Sequence, residues 1–400
     1  MKDNTLLLGI DGGATKVSAW NIIFNEKTKR FSLGKLSGNC SYSEINGYIP
    51  NFETVEITVQ LNEMNNSLIK PTEAEKQQGQ SYIKACANVI ESIVKESGIN
   101  RVVVGLGMPG LKTADKRGIS VLANGPRMIG YADQLESLLS DSGIHFVTPI
   151  AHLGSDADYC GIGENYSEEG MFKDTENAYY LGGGTGVADA LKINGKLLPF
   201  DNTKDWLAKT WEMKSDDGRS LERFTSVGGL QAIYAEIAGK QVSELNEKGI
   251  YPLQIAELSA KGEAEAKKLT RLAVKNLSLL LFERITSLYA GSRSSFEFVN
   301  ANRQKLSSDH LFLKYVFDRI IIGQRLGELF ESSYGAIEIR KPIINRLTEL
   351  IQNSDLLDGK AKLHYKNLDN IIVSSKLREA PAIGAGIDAY FNWKKIQLTI

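Results

Sequence analysis

Residues 6 to 20, LLLGIDGGATKVSAW, constrain the fold more than any other stretch of this 400-residue chain. Leu6, Leu7, Leu8 and Ile10, broken only by Gly9, read as a buried strand that ends in an acid, Asp11. Gly12 and Gly13 then permit a tight turn, because glycine tolerates positive φ and close approach by another group. Thr15 and Lys16 add a hydroxyl and a cation before a second strand-like run, Val17 to Trp20. A turn with exposed N–H groups, small residues and a nearby cation suits a polyphosphate, and Asp11 is placed to orient a hydrated magnesium. Taken alone, the stretch reads equally well as an ordinary β-hairpin with a glycine turn.

The rest of the sequence narrows the partners. The chain holds 47 basic and 48 acidic residues, a net charge of -1, so nothing calls for nucleic acid or an anionic membrane. Its length suits two or three domains, and 42% hydrophobic with 24% charged residues is a soluble, globular composition. No apolar run approaches the ~20 residues that span a bilayer. The opening MKDNTLLLGI meets an acid at once, unlike a signal peptide. Cys40, Cys86 and Cys160 are widely spaced and form no CxxC pair, as expected of reduced thiols in a cytoplasmic protein.

Along the chain, the first 60 residues read as strands, with turns at Gly38-Asn39 and Asn46-Gly47 and an alternating strand in VEITVQL. The periodicity predicts a helix over Gln77 to Ser97, stopped by Gly98, and another over Ala132 to Ser140. RVVVGL, from Arg101, is a β-branched buried strand, and HFVTPIAHLGSDADYCGIGE reads as strand, loop and helix start. After Gly170 the grammar restarts: strand, glycine turn, strand, then an Asn194-Gly195 hairpin turn. The middle, 221 to 295, is helical, with its strongest element near Glu263 to Tyr289. DRIIIGQRLGELF reads as strand, glycine turn and helix, and APAIGAGIDAYFNW as a closing helix. Two related α/β halves facing each other across a cleft follow from this repetition.

Three glycine turns now act jointly: Asp11 to Lys16, Gly182-Gly183-Gly184-Thr185-Gly186, and Gly323-Gln324-Arg325-Leu326-Gly327. Each ends a strand, where backbone donors can approach an anion or a flat ring. Between the first two lies Gly154-Ser155-Asp156-Ala157-Asp158 on a polar loop. Phosphoryl transfer to a hydroxyl needs a carboxylate to take the proton, and Asp156 is the candidate. Its alternative use is to cap the helix beginning near Tyr159. Trp206 and Trp211 suit stacking on a sugar or, more commonly, covering a loop. Arg117, Arg127 and Arg325 are candidate phosphate neutralisers or ordinary surface arginines, and His145 and His152 read as structural.

With these residues in view, the chain resembles the actin, hexokinase and Hsp70 ATPase superfamily, and specifically the ROK family of bacterial sugar kinases. The family's phosphate-1 turn is similar to Gly9 through Lys16, its glycine-proline strand end to Gly105 through Gly110, and its sugar-loop Asn to Asn124. Its Asn-Asp-Ala signature followed by Gly-Glu resembles Ser155-Asp156-Ala157 and Gly163-Glu164. The phosphate-2 turn with its hairpin resembles Leu181 to Leu198, the adenosine turn Gly323 to Gly327, and the small-residue helix Ala382 to Tyr390.

The resemblance implies two RNase-H-like (actin-like ATPase) domains around a central cleft. The first would span 1 to 165 and regain the C-terminal helix 381 to 400; the second would span 166 to 380 with a helical insertion. It implies ATP-dependent phosphorylation of a sugar hydroxyl, with Asp156 as general base and Asp11 holding Mg²⁺ through water. Gly12, Gly13, Thr15, Lys16, Gly183, Gly184, Thr185 and Gly186 would serve the phosphates, and Gly323 and Gly327 the nucleoside. Asn124, Ser155, Asp156 and Glu222 would meet the sugar.

Two departures stand out. The family's Glu-x-Gly-His segment and cysteine-rich zinc motif correspond here to Lys209-Thr210-Trp211-Glu212 and Arg219-Ser220-Leu221-Glu222, so no structural zinc is expected. Ser155 replaces an Asn whose amide contacts sugar hydroxyls. An altered sugar choice follows, because unmatched polar groups in a sugar pocket are costly. The resemblance leaves a homodimer open. Other readings are an N-acetylglucosamine-kinase or benzoyl-CoA-reductase-activator type ATPase, a sugar-sensing regulator, and an actin-like scaffold. With only five residues before Leu6, the regulators' helix-turn-helix is not expected, and the cysteine spacing does not suit the activators.

Overall fold

The computed structural model describes residues 4–293 and 296–399, with side chains through 396. The chain forms two compact units, Met1–Glu169 with Glu379–Ile400, and Gly170–Arg378.

In the first unit, β1 (Leu6–Gly12), β2 (Lys16–Asn25) and β3 (Arg30–Ser41) form an antiparallel meander. β4 (Arg101–Gly107) pairs parallel with β1 on its other side, and the short strands His145–Phe146 and Leu153–Gly154 run parallel to β4. The strand order is β3-β2-β1-β4 and then His145–Phe146. β1 is central and buried on both faces, which is why it reads as a continuous apolar run. Leu6, Leu8 and Ile10 join Ile83 and Ile90 of α1 (Glu73–Ser97) and Leu135 of α2 (Tyr131–Asp141). Leu7 faces the other way, with Ile383, Ile387 and Trp393 of the C-terminal helix Ala380–Thr399.

That helix lies unusually close to the sheet. A Cβ on Gly9 would stand 2.0 Å from Ala382 O, and one on Gly105 would stand 1.9 Å from Ala385 O. Gly9 and Gly105 are register partners on β1 and β4, so a two-glycine groove admits the helix backbone. The small residues of the closing helix meet α3 (Asp156–Tyr166) in the same way, with Gly384 against Tyr159 O. α1 starts with a capping box: Thr72 accepts from Glu75 N–H while the Glu75 carboxylate accepts from Thr72 N–H, worth about 1 kcal/mol. It stops at Gly98, whose φ is +69°.

The second unit repeats the plan. β5 (Ala178–Gly183), β6 (Val187–Ile193) and β7 (Lys196–Leu198) are antiparallel, and β8 (Arg319–Gly323) and β9 (Ile372–Ser374) continue parallel to β5. The order β7-β6-β5-β8-β9 matches that of the first sheet, and the fold is α/β with two RNase-H-like units. Helices α4 (Val227–Ala238) and α5 (Ala264–Ala290) bury Leu230, Leu277 and Leu281 in one core with Tyr179, Leu181 and Leu191 of this sheet. Arg284 of α5 is fully buried, bonded to Asp189 of β6, to Glu283 and to Thr210, and it ties the Thr210–Glu212 turn to the core.

Two sequence expectations fail. VEITVQL is not a strand: Ile57–Asn65 is a helix. Gln60 is its buried residue, pairing through both amide atoms with the main chain of Leu122. Gly38 and Asn39 lie inside β3 rather than in a turn. Among the described residues, no helix is long and apolar enough to cross a membrane.

Candidate active site

The carboxyl edge of the first sheet carries the predicted acids. Asp11 is in register with Gly107, and Gly107 with Gly154, so the chain leaves this edge only two residues before Asp156. Asp156 is exposed, opens α3, and accepts the Ala157 N–H at 2.9 Å. Ser155 holds the N-cap position without a side-chain bond, and Asp156, one residue on, takes a first-turn N–H of the helix with one carboxylate oxygen. Asp11 is half-buried, and its carboxyl is pushed up to about 7. Burial is the largest cause, followed by the Asp156 and Glu379 carboxylates, while Lys16 pulls the other way. Glu379 was not singled out from the sequence. It lies just ahead of the C-terminal helix, and only the fold brings it to Asp11.

The first glycine turn presents donors outward. Gly13 N–H bonds to Lys16 O at 2.9 Å, and the carbonyls of Gly13, Ala14 and Thr15 point inward and accept from Tyr42 and Tyr82. Ala14, Thr15 and Lys16 are exposed, and among the described residues nothing accepts from the Ala14 or Thr15 N–H. Neither Gly12 nor Gly13 has positive φ. Gly12 packs closely instead: a Cβ there would meet the Met108 thioether and stand 3.0 Å from Gly107 O. Asn124 is exposed in the turn after Ile119–Val121, and its neighbour Gly125 abuts Tyr82, a Cβ there lying 3.3 Å from the hydroxyl. The first turn, Asn124, Ser155 and Asp156 all belong to this unit.

In the second unit, Gly184 N–H bonds to Gly186 O at 2.9 Å. Thr185 and Gly186 are exposed, and among the described residues nothing accepts from their N–H groups. The start of α4 abuts this turn, with Gly228 N–H on Gly184 O at 3.2 Å, so the helix dipole adds positive potential where an anion would sit. Glu222 reaches the same turn: its Oε1 accepts from Val187 N–H at 3.1 Å.

Gly183, Gly323 and Gly327 are buried and serve packing, with missing Cβ atoms against Thr225 O, the Tyr180 ring and Ile322 O. The third glycine element is no turn: Gly323 ends β8, Gln324 takes φ +56°, and α6 (Gln324–Glu331) begins at once. Beside it a cavity of about 340 Å³ opens between Val227, Tyr251, Leu253, Arg325, Leu329 and Arg378. Tyr251 and Leu253 are exposed at its rim, and neither was singled out from the sequence.

Several candidates fall away. Trp206 is buried and stacked on His310, with ring centroids 4.1 Å apart, so it cannot stack on a sugar, whereas Trp211 is 46% exposed. Arg127 is buried and paired with both oxygens of Glu75. Arg117 is paired with Asp133 and Glu136. His152 pairs with Asp388 at 3.0 Å.

No protein-family model and no curated protein matches this chain. Solved structures do. A ROK family glucokinase from Streptomyces griseus, in complex with glucose and AMPPNP, matches at a TM-score of 0.56 and 15% identity, over 96% of this chain and 99% of that one. A ROK hexokinase from Thermus thermophilus matches at 0.51 and 16%, over 98% and 99%. A ROK family transcriptional regulator, a homolog of the E. coli MLC protein, matches at 0.52 and 11%, over 98% of this chain and 80% of its own. Over nearly its whole length, the chain has the fold of the ROK family sugar kinases.

Proposed function

We propose that this protein transfers the γ-phosphoryl group of ATP to a hydroxyl of a sugar or sugar derivative, with Asp156 as general base. One observation carries the reading. Asp156 stands exposed at the start of α3, two residues after Gly154, which the sheet register links through Gly107 to Asp11. A carboxylate so placed takes the hydroxyl proton as the new O–P bond forms, an effect worth about 10²–10⁴-fold. The outward amides at Ala14, Thr15, Thr185 and Gly186 suit phosphate oxygens, and Thr15, Lys16 and Thr185 add a cation and hydroxyls. Gly13 and Gly184, part-exposed in these turns, let the main chain come close, while Gly12 and Gly183 hold the turns by packing beneath them. The cavity beside Gly323 and Gly327 suits a nucleoside, with Tyr251 available to the base. Asn124, Ser155 and Glu222 are the proposed sugar contacts. The neighbour crystallised with glucose and AMPPNP supports this pairing of substrates.

Magnesium fits Asp11 by chemistry. A carboxylate crowded by two like charges gains from a dication. Among the described residues no three acidic, histidine or cysteine side chains gather to hold an ion directly. The residues therefore suit an ion that keeps its own waters and the nucleotide's phosphates, where it would neutralise charge on the transferred group.

Asp156→Asn is expected to lower turnover by at least about 10²-fold while leaving ATP affinity within about threefold. A coupled ADP-release assay over hexoses, aminosugars and their derivatives, with calorimetry for ATP, reads both. Undiminished turnover in that variant would rule out Asp156 as the base. Because a transcriptional regulator shares the fold, a non-catalytic sugar sensor is the second reading. Sugar binding without ADP release across the whole panel would favour it.

A further inference from the structure

Behind the first glycine turn lie two stacked tyrosines. Tyr42, in the 3₁₀ turn Tyr42–Glu44, and Tyr82, on α1, have ring centroids 3.6 Å apart and planes 16° from parallel. Both are buried, at 1% and 4% exposure. The Tyr42 hydroxyl donates to Gly13 O at 3.1 Å, and the Tyr82 hydroxyl to Ala14 O at 3.2 Å. The Tyr42 main-chain N–H takes the next carbonyl, Thr15 O, at 3.0 Å. Burial pushes both phenols up, Tyr82 to about 12, so both stay protonated donors at neutral pH.

Peptide planarity gives these bonds a consequence. In a trans peptide the C=O of one residue and the N–H of the next point in opposite directions. Fixing Gly13 C=O inward therefore fixes Ala14 N–H outward, and fixing Ala14 C=O inward does the same for Thr15 N–H. Among the described residues neither of these amides has an acceptor. We propose that Tyr42 and Tyr82 are positioning residues that aim the Ala14 and Thr15 amides at the phosphates of the bound nucleotide. The inference rests on the kinase reading for its ligand. The amide orientation itself is a property of the protein alone. Such preorganisation strengthens anion binding because no donor must be turned on arrival.

The test uses the full chain with Tyr42→Phe, Tyr82→Phe and the double substitution, which keep the stacked rings and remove only the hydroxyls. Three readouts are needed: melting temperature, hydrogen exchange of the bonded Gly13 and Tyr42 amides without nucleotide, and ATP and sugar kinetics. In the double variant, exchange at both amides is expected to quicken by at least about 5-fold, the size of one lost hydrogen bond. KM for ATP should rise by about 10-fold, with the sugar KM unchanged and kcat within about twofold. A merely structural role would lower the melting temperature and leave the ATP KM of the folded protein where it was.

Unchanged exchange overturns the proposal. So does faster exchange with an unchanged ATP KM, since the tyrosines would then hold a turn that no phosphate meets. Failure of the kinase reading shows separately, as no ATP turnover by the unsubstituted protein. Calorimetry with inorganic tripolyphosphate then replaces the kinetics: about 10-fold weaker binding in the double variant upholds the aiming role, and equal binding, or none by either protein, overturns it.

Discussion

Asp11 carries the strongest electrostatic tension in the site. The folded chain holds its proton up to about pH 7, whereas an unfolded aspartate releases it near pH 4. Between those values the native state binds more protons than the unfolded one, so stability falls as pH rises toward 7. In metal-free protein the melting temperature is therefore expected to decline between about pH 4 and pH 7 and to level off above that. Asp11→Asn should flatten that decline and be the more stable protein at the upper end. Melts in the presence of a chelator check this, and parallel curves for the two proteins would overturn the role given to Asp11. Asp11, Thr15, Lys16 and Asp156 were legible in the sequence because a strand, a glycine turn and a helix start are local patterns. Glu379, Tyr42 and Tyr82 were not, because their partners are chosen by the fold rather than by spacing.

At the scale of elements, backbone approach decides more than side-chain size. Gly9 was read as an interruption in an apolar strand, yet it is where the C-terminal helix touches β1. Its Cβ would meet a carbonyl oxygen at 2.0 Å, and neither backbone can yield locally. Gly9→Ala should cost at least about 2 kcal/mol, in the range of overpacked cores, as measured by urea unfolding. A loss below about 0.5 kcal/mol would mean that the helix can shift freely. The helix Ile57–Asn65 shows the converse. The alternation of VEITVQL suggested a strand, but Gln60 must satisfy both the N–H and the C=O of Leu122. Leaving that pair unbonded in the interior would cost about 1–3 kcal/mol per group. These bonds anchor the helix to Leu122, and no periodicity count registers them.

At the scale of the whole molecule, the division into two related α/β halves was legible because the same glycine-ended strands recur, although residue identity between the halves is low; the strand order shared by the two sheets was not. The return of the closing helix to the first unit has a direct test. A chain ending at residue 378 lacks the helix that covers Leu7, Ile22 and Val103, and about 25 cal/mol per Å² of that apolar face would be forfeited. Hydrogen exchange should then show β1 and β4 losing protection while β5 and β8 keep theirs, and retained protection in β1 would contradict the role given to the helix. Synthesis on the ribosome meets the same arrangement in time. The strands made first stay half covered until all of Gly170–Arg378 has been translated, so the second unit is complete before the first.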